Sequence, residues 1–210
     1  MPFFKQIQNE HGPLSIWELA ESSEELLSSL HLPENDRKRL AKITSEKREI
    51  EFLSTRMLLQ RSFETIPEIC YNQWGKPFFA NRKENISISH SADFATIFCS
   101  NQKIGIDIEV QDRNIERVCK RFLHPEEMAF INTLPNQQLA KIVYWCAKEA
   151  IFKCSEIHGI QFNEQIRINP FNPKNGTSFT ASLSKKGQTT KYQLHTHFIE
   201  NNVLVYCVEL

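Results

Sequence analysis

The segment Ile104–Val110 constrains the fold more than any other part of the chain, because its side chains alternate strictly. Aliphatic residues occupy every second position, and glycine, aspartate and glutamate occupy the positions between them. A period of two is the signature of a β-strand. One face of the predicted strand is therefore apolar, and the other carries Asp107 and Glu109.

The two carboxylates on this strand allow two interpretations. Aspartate and glutamate are poor strand formers, so propensity alone does not explain Asp107 and Glu109. On an edge strand the acidic face is simply solvated. In a cleft, two carboxylates whose backbones lie about 7 Å apart favour a hard divalent cation such as Mg²⁺, which prefers oxygen ligands. The strand by itself leaves both interpretations open.

A second patterned segment, Asn136–Cys154, has the apolar spacing of an amphipathic helix, and its first residue is a suitable N-cap. Projected at about 100° per residue, Glu149 and Lys153 fall against or inside the apolar sector. Lys141 and Lys148 fall on the opposite side, which predicts that they face water. Charges on a packed side must be paired, coordinated or exposed to a pocket. We therefore expect Glu149 and Lys153 to face a pocket, although an ordinary helix ion pair would also explain their spacing.

Three further features are weaker. His90 follows Ile86 and Ile88 in phase on a predicted strand. A histidine there is more often a satisfied core side chain, yet the serines beside it have hydroxyl groups that can bind phosphate. The tripeptide Gly75–Pro77 lies in a predicted turn, and Arg56 stands out because its neighbours are apolar.

Composition excludes several classes of protein. The 210 residues include 25 basic and 25 acidic side chains, whereas a dedicated nucleic-acid binder usually carries a basic excess. No apolar run approaches the roughly 18 residues of a membrane span, and the first residues lack the order of a signal peptide. The six cysteines show no CxxC spacing, which argues against zinc knuckles and dithiol redox motifs. We expect a cytoplasmic protein that binds neither nucleic acid nor membrane.

The order of predicted elements indicates an α+β fold in two halves. The first half contains a strand over 13–20, a capped helix from Ser22 to about Leu30, helices between 33 and 63 broken near 44–45, and strands near 69–71, 86–89 and 95–100. The second half repeats the order, with a strand over 104–110, helices over 115–121, 125–132 and 136–154, and strands near 165–168, 178–183, 192–199 and 203–208. The sequence therefore predicts two halves, 1–102 and 103–210.

Four motifs resemble those of a known family. GKP (75–77), SISHS (87–91), GIDIE (105–109) and WCAKEAIFK (145–153) occur in the order typical of the surfactin-type 4′-phosphopantetheinyl transferases. The resemblance implies a monomer of two pseudo-twofold-related α+β halves, each a small antiparallel sheet packed with helices, with coenzyme A between them. It also implies an activity that depends on Mg²⁺. The 4′-phosphopantetheine arm of coenzyme A moves to a serine of an acyl or peptidyl carrier protein, and adenosine 3′,5′-bisphosphate is released.

The resemblance also implies roles for individual residues. Asp107, Glu109 and Glu149 would hold Mg²⁺ in the second half, and Glu149 is a candidate general base. Lys153 and His90 complete the implied catalytic set. The role of Lys148 stays open, and residues of about 155–185 would form part of the carrier-docking surface.

In the first half, the resemblance implies contacts to coenzyme A. The implied contact residues, together with Lys153 of the second half, are Arg56, Lys76, Pro77, Ser89 and His90. Arg56 and His90 would lie near the 3′-phosphate, and Lys76 and Pro77 would line the adenine. The family usually has a further basic pair upstream, for which the candidates are Lys38, Arg39, Lys47 and Arg48, and the spacing does not choose among them.

Two other functions remain open. A magnesium-dependent phosphoanhydride hydrolase would use the same carboxylates, but it gives no reason for GKP and SISHS to occur together. A non-catalytic paralogue that binds coenzyme A or a carrier would not need to keep all four of Asp107, Glu109, Glu149 and Lys153.

Overall fold

The computed structural model describes residues 4–210. The chain folds into two compact units, one ending at Asn101 and the other spanning Gln102–Leu210. Each unit combines an antiparallel sheet with helices, which confirms the predicted α+β class. No helix within residues 4–210 has the length and apolar character that crossing a bilayer requires.

The amino-terminal unit is built on a four-stranded antiparallel sheet of order β1-β2-β6-β5, with a separate β3-β4 hairpin. Its elements are strands β1 (Phe4–Asn9) and β2 (Gly12–Glu18), helices α1 (Ser23–Ser29), α2 (Glu34–Leu40) and α3 (Glu46–Ser62), and strands β3 (Ile69–Tyr71), β4 (Pro77–Phe79), β5 (Asn85–His90) and β6 (Phe94–Ser100). Strands β1 and β4 were not predicted from the sequence.

Most of the helical side chains in the core of this unit come from α3. Leu53, Met57 and Leu58 are buried in one cluster with Ile86 of β5 and Ile97 of β6. Because β5 alternates, Ile86, Ile88 and His90 share one face of the sheet. This packing brings the end of β5 to the side of the sheet that α3 covers.

The carboxyl-terminal unit is built on a five-stranded antiparallel sheet of order β7-β11-β10-β9-β8, so β7 is an edge strand. Its elements are β7 (Ile104–Val110), a 3₁₀ turn (Glu116–Val118), helices α4 (Cys119–Phe122), α5 (Pro125–Ile131), α6 (Gln137–Ser155) and α7 (Phe162–Gln165), and strands β8 (Ile166–Ile168), β9 (Ser178–Lys185), β10 (Gln188–Ile199) and β11 (Asn202–Glu209).

Helix α6 packs directly on β7. Asn136 caps the helix by accepting a hydrogen bond from the Leu139 backbone N–H over 3.1 Å, as predicted. A Cβ atom at Gly105 would overlap the carbonyl oxygen of Ala150. Glycine at this position therefore allows α6 to approach the strand closely enough to cover its acidic face.

The structure overturns one prediction about α6. Lys141 and Lys148 do not face water, since Lys148 is 0% exposed and Lys141 is 8% exposed. Lys141 pairs with Glu116 of the 3₁₀ turn, and Lys148 pairs with Glu127 of α5 over 2.6 Å. The projection was wrong because α5, α7 and β8 cover the side of α6 that it left to solvent. Burial lowers the pKa of Lys148 to about 8, against the opposing effect of Glu127.

Candidate active site

The strand carboxylate and the helix lysine predicted to share a site are in direct contact. Asp107 is 6% exposed, on the face of β7 that α6 covers. Lys153 donates hydrogen bonds to Asp107 Oδ1 over 2.8 Å and to the carbonyl oxygen of Ile106 over 3.0 Å. A buried carboxylate requires such a partner. The acidic face of β7 is therefore covered, although β7 is an edge strand.

Glu109 is held at the far end of the same face. Its Oε1 accepts a hydrogen bond from the indole Nε1 of Trp145 over 3.2 Å and also contacts the guanidinium group of Arg113. That guanidinium group lies 5.4 Å from the centre of the Trp145 ring. Arg113 was not predicted, because it lies in the irregular segment after β7, where no periodic pattern indicates its direction.

Glu149 lies one helical turn before Lys153 and is half-buried. Burial and the negative charge of Asp107 raise the pKa of Glu149 to about 7, against the opposing effects of Lys153 and Arg113. A carboxyl group with this pKa exchanges protons near neutral pH, which suits a general base. The raised pKa also shows that additional positive charge would be favourable here.

The three carboxylates have the donor chemistry of a magnesium site, because Mg²⁺ prefers a few carboxylate oxygens with water and phosphate completing its shell. Within residues 4–210, however, no three side chains of His, Cys, Asp or Glu are arranged as a metal site. Lys153 contacts Asp107 and Arg113 contacts Glu109 instead. The residues therefore fit the ion by their chemistry, while two of the three carboxylates are engaged by cationic side chains.

The amino-terminal unit contains a cavity of about 320 Å³ between α3, the β3–β4 hairpin and the end of β5. Three residues predicted to contact coenzyme A line it, namely Arg56, Pro77 and His90. Arg48 and Glu51 line it as well. Of the four basic residues that the sequence left open, the cavity lining includes Arg48 alone. The sequence did not single out Glu51, since it lies in a helix of mixed charge.

Arg56 is almost fully buried beside this cavity. Its guanidinium group donates to Asp36 Oδ1 over 2.7 Å and to the Tyr71 hydroxyl over 3.3 Å, and it lies 3.8 Å from the centre of the Phe52 ring. Asp36 therefore compensates much of the charge of Arg56. Arg48, two helical turns earlier, is the better source of positive charge for an anion in the cavity.

The other predicted contact residues are placed differently. His90 Nδ1 lies 3.9 Å from Glu51 Oε2. Ser89 precedes His90 on β5 and therefore points to the opposite face of the sheet, where it is buried. Lys76 lies in the β3–β4 turn, with its backbone N–H donating to Asn72 Oδ1 over 3.0 Å. Its neighbours Gly75 and Pro77 line the cavity. The joint role of Ser89 and His90 at a phosphate stays a prediction.

Comparison with known proteins identifies the family. A profile of the 4′-phosphopantetheinyl transferase superfamily matches residues 103–207, which is half of the chain and includes Asp107, Glu109, Glu149 and Lys153. The chain belongs to the 4′-phosphopantetheinyl transferase superfamily, as the motifs predicted. The surfactin-type subgroup within it stays a prediction.

Individual relatives carry the same family name. The chain is 28% identical over 114 residues to the putative 4′-phosphopantetheinyl transferase slr0495 of Synechocystis sp., covering 49% of this chain and 46% of that protein. It is 34% identical over 107 residues to HetI of Nostoc sp., covering 47% and 45%. It is 34% identical over 112 residues to AcpT of Salmonella typhimurium, covering 50% and 58%. The chain spans about half the length of the curated relatives it matches.

A solved structure, the holo-[acyl-carrier-protein] synthase of Thermotoga maritima, is similar at a TM-score of 0.37 and 16% identity, over 51% of this chain and 62% of that one.

Proposed function

We propose that this protein transfers the 4′-phosphopantetheine arm of coenzyme A to a serine of an acyl or peptidyl carrier protein. The serine oxygen attacks the phosphorus that bears the pantetheine, the bond from that phosphorus to the bridging oxygen breaks, and adenosine 3′,5′-bisphosphate leaves. The observation that carries the proposal is the contact of Asp107 with Lys153 beside Glu149, in a chain that belongs to this superfamily.

Each side chain of this cluster has a task in such a reaction. Glu149 accepts the proton of the serine hydroxyl, directly or through a water molecule, because its pKa of about 7 matches the working range of a general base. The ammonium group of Lys153 stabilises the negative charge on the phosphate oxygens. Asp107 orients Lys153 through their hydrogen bond. Mg²⁺, when bound by Asp107, Glu109 and Glu149, would neutralise charge on the diphosphate.

The cavity of the amino-terminal unit is proposed to hold the adenosine 3′-phosphate end of coenzyme A. Arg48 and His90 supply donors for the phosphate, and Arg56, whose charge is paired with Asp36, lines the same cavity. Pro77 and Tyr71 offer apolar surface for the purine. A volume of about 320 Å³ is at the lower end for small-molecule sites, so it suits one part of the cofactor rather than the whole.

Further parts of the proposal rest on the family resemblance. The half 1–102 would contact the 3′-phosphate and adenine, and the half 103–210 would supply the metal site, the catalytic helix and the carrier-docking surface at about 155–185. The protein would act as a cytoplasmic monomer in fatty acid, polyketide or nonribosomal peptide synthesis.

One assay tests the proposal against its alternatives. The protein is incubated with coenzyme A, Mg²⁺ and a panel of apo carrier proteins, and the carriers are weighed by mass spectrometry. A phosphopantetheine increment that is lost with EDTA supports the proposal. Cleavage of coenzyme A without modified carrier supports a hydrolase, and binding without either reaction supports a non-catalytic paralogue.

A further inference from the structure

Lys148, which precedes Glu149 on α6, has a fully occupied ammonium group. Nζ donates to Glu127 Oε2 over 2.6 Å, to the carbonyl oxygen of Ile166 over 2.9 Å and to that of Phe162 over 3.1 Å. An ammonium group has three N–H donors, so these three acceptors use all of them. The side chain is 0% exposed. Lys148 therefore has no donor left for a phosphate, although it belongs to the same motif as Glu149 and Lys153.

Glu127 extends this contact to two more segments. Its Oε2 also accepts the backbone N–H of His124 over 2.8 Å, which completes the capping box at the start of α5. Its Oε1 accepts the backbone N–H of Ile168 over 2.9 Å. The buried Lys148–Glu127 pair thus joins the middle of α6 to the start of α5, to α7 and to β8.

Aromatic side chains also join α7 to α6. The ring of Phe162 lies 6.5 Å from that of Trp145 and 5.7 Å from that of Phe152, both on α6. Residues 145, 148 and 152 lie on one side of a helix. Lys148 binds the Phe162 carbonyl between these two ring contacts, so it holds the segment 162–168 against the side of α6 that carries Trp145.

We propose that Lys148 is a positioning residue. Together with Glu127 it joins the segment 162–168 and α5 to α6, and it thereby fixes the position of α6 against β7. The position of α6 matters because Trp145, Glu149 and Lys153 all project from α6 toward the acidic strand. The functional consequence rests on the proposed transferase activity, whereas the positioning itself does not.

The test uses Lys148→Met with Lys141→Met as the matched control. Both lysines are buried on α6 and ion-paired, but the ion-pair partner of Lys141 is Glu116 of the 3₁₀ turn, whereas that of Lys148 is Glu127. The first readout is the indole N–H resonance of Trp145, assigned with a Trp145→Phe variant, because this group donates to Glu109. Lys148→Met should shift the resonance, and Lys141→Met should leave it in place.

The second readout is amide hydrogen exchange at Ile168, whose N–H donates to Glu127. Loss of one partner of a buried ion pair opens the structure locally, so exchange at Ile168 should rise about a hundredfold or more in Lys148→Met. It should be unchanged in Lys141→Met. An unshifted indole resonance together with wild-type exchange in Lys148→Met would overturn the proposal.

A second variant covers the possibility that Lys148→Met does not fold. Glu127→Leu with Lys148→Met replaces both charges by apolar groups, which often restores stability. A positioning role predicts that this double variant regains the wild-type unfolding midpoint but keeps the shifted indole resonance. If the unfolding midpoint and the indole resonance both return to wild type, the pair serves stability alone. Exchange at Ile168 is not compared in this variant, because Glu127→Leu itself removes the acceptor of the Ile168 N–H. Because no readout requires catalysis, a failure of the proposed transferase activity would be seen separately.

Discussion

The indole nitrogen of Trp145 donates a hydrogen bond to Glu109 Oε1 over 3.2 Å, although the two residues are 36 positions apart in the chain. Two turns further along α6, Lys153 makes the equivalent contact to Asp107 over 2.8 Å. Both contacts place donors of one helix on acceptors of one strand. Helix α6 therefore supplies the hydrogen-bond donors for the acidic face of β7. A substitution in either element should alter the geometry of these contacts.

Asp107→Asn should abolish transfer while the protein still folds. The amide keeps the shape of the carboxylate but removes the charge that orients Lys153 and would bind Mg²⁺. We expect the rate of carrier modification to fall at least about a hundredfold, with a loss of stability of about 1–2 kcal/mol, because Lys153 is partly exposed. Mass spectrometry of the carrier and thermal unfolding measure the two effects. The control is Asp112→Asn, an exposed acid just after β7, and full activity of Asp107→Asn would remove Asp107 from the site.

Glu149→Gln should stabilise the protein above neutral pH. The pKa of Glu149 is raised from 4.5 to about 7 in the folded protein. Between these values the folded state binds more protons than the unfolded state, so stability falls as pH rises. Urea unfolding should therefore show Glu149→Gln to be more stable than wild type at pH 8, by up to about 3 kcal/mol, and nearly equal at pH 4.5. Exposed Glu200 in the β10–β11 turn supplies the control, and Glu200→Gln should show no such difference between the two pH values.

The same pKa predicts the pH dependence of the reaction. Glu149 must be ionised to accept a proton, and the ionised fraction of Glu149 increases as the pH rises through 7. Mg²⁺ bound at Glu149 would lower this pKa, so the profile is measured at subsaturating Mg²⁺. There the logarithm of kcat/KM should rise with pH below about 7 and level off above it. A profile that is flat from pH 5.5 to 7.5 at subsaturating Mg²⁺ would show that ionisation of Glu149 does not control the reaction.

Arg48→Ala should weaken the binding of coenzyme A but not of dephospho-coenzyme A, which lacks the 3′-phosphate. Arg48 lines the cavity, and a charge-assisted contact to phosphate accounts for about a tenfold change in Kd or more. Calorimetric titration of both ligands measures the difference. Lys38→Ala is the control, because Lys38 is exposed on α2, where it pairs with Glu34. Equal losses for the two ligands in Arg48→Ala would place the phosphate elsewhere.

Periodic segments were the predictable part of this protein. The strand Ile104–Val110 has the bounds that its alternation predicts, and α6 begins after its predicted cap and ends one residue beyond Cys154. Both patterns are local, since they depend only on neighbouring residues. The short strands β1 and β4 were missed because a few mostly polar residues, or a strand of three, give too weak a pattern.

The direction of charged side chains was only partly predictable. The helical projection placed Glu149 and Lys153 on the packed side of α6, and the contact of Lys153 with Asp107 agrees with that placement. It placed Lys148 in water, but α5, α7 and β8 cover that side. A projection describes one helix alone, so it cannot show that distant segments bury a second side of it.

Gly105→Ala should disrupt the site through a single methyl group. The added Cβ would overlap the carbonyl oxygen of Ala150 and come within 2.9 Å of the Cys154 amide nitrogen, so α6 must move away from β7. We expect a loss of stability of about 2–3 kcal/mol and a loss of transfer beyond what the unfolded fraction explains, because Lys153 and Glu149 move with the helix.

Gly187→Ala is the comparison, since Gly187 has a φ of 78° and nothing within 4 Å of an added Cβ. That change carries backbone strain without overlap, so it should cost about 1 kcal/mol and leave transfer intact. Equal activities of the two folded variants would show that the position of α6 against β7 does not control the reaction.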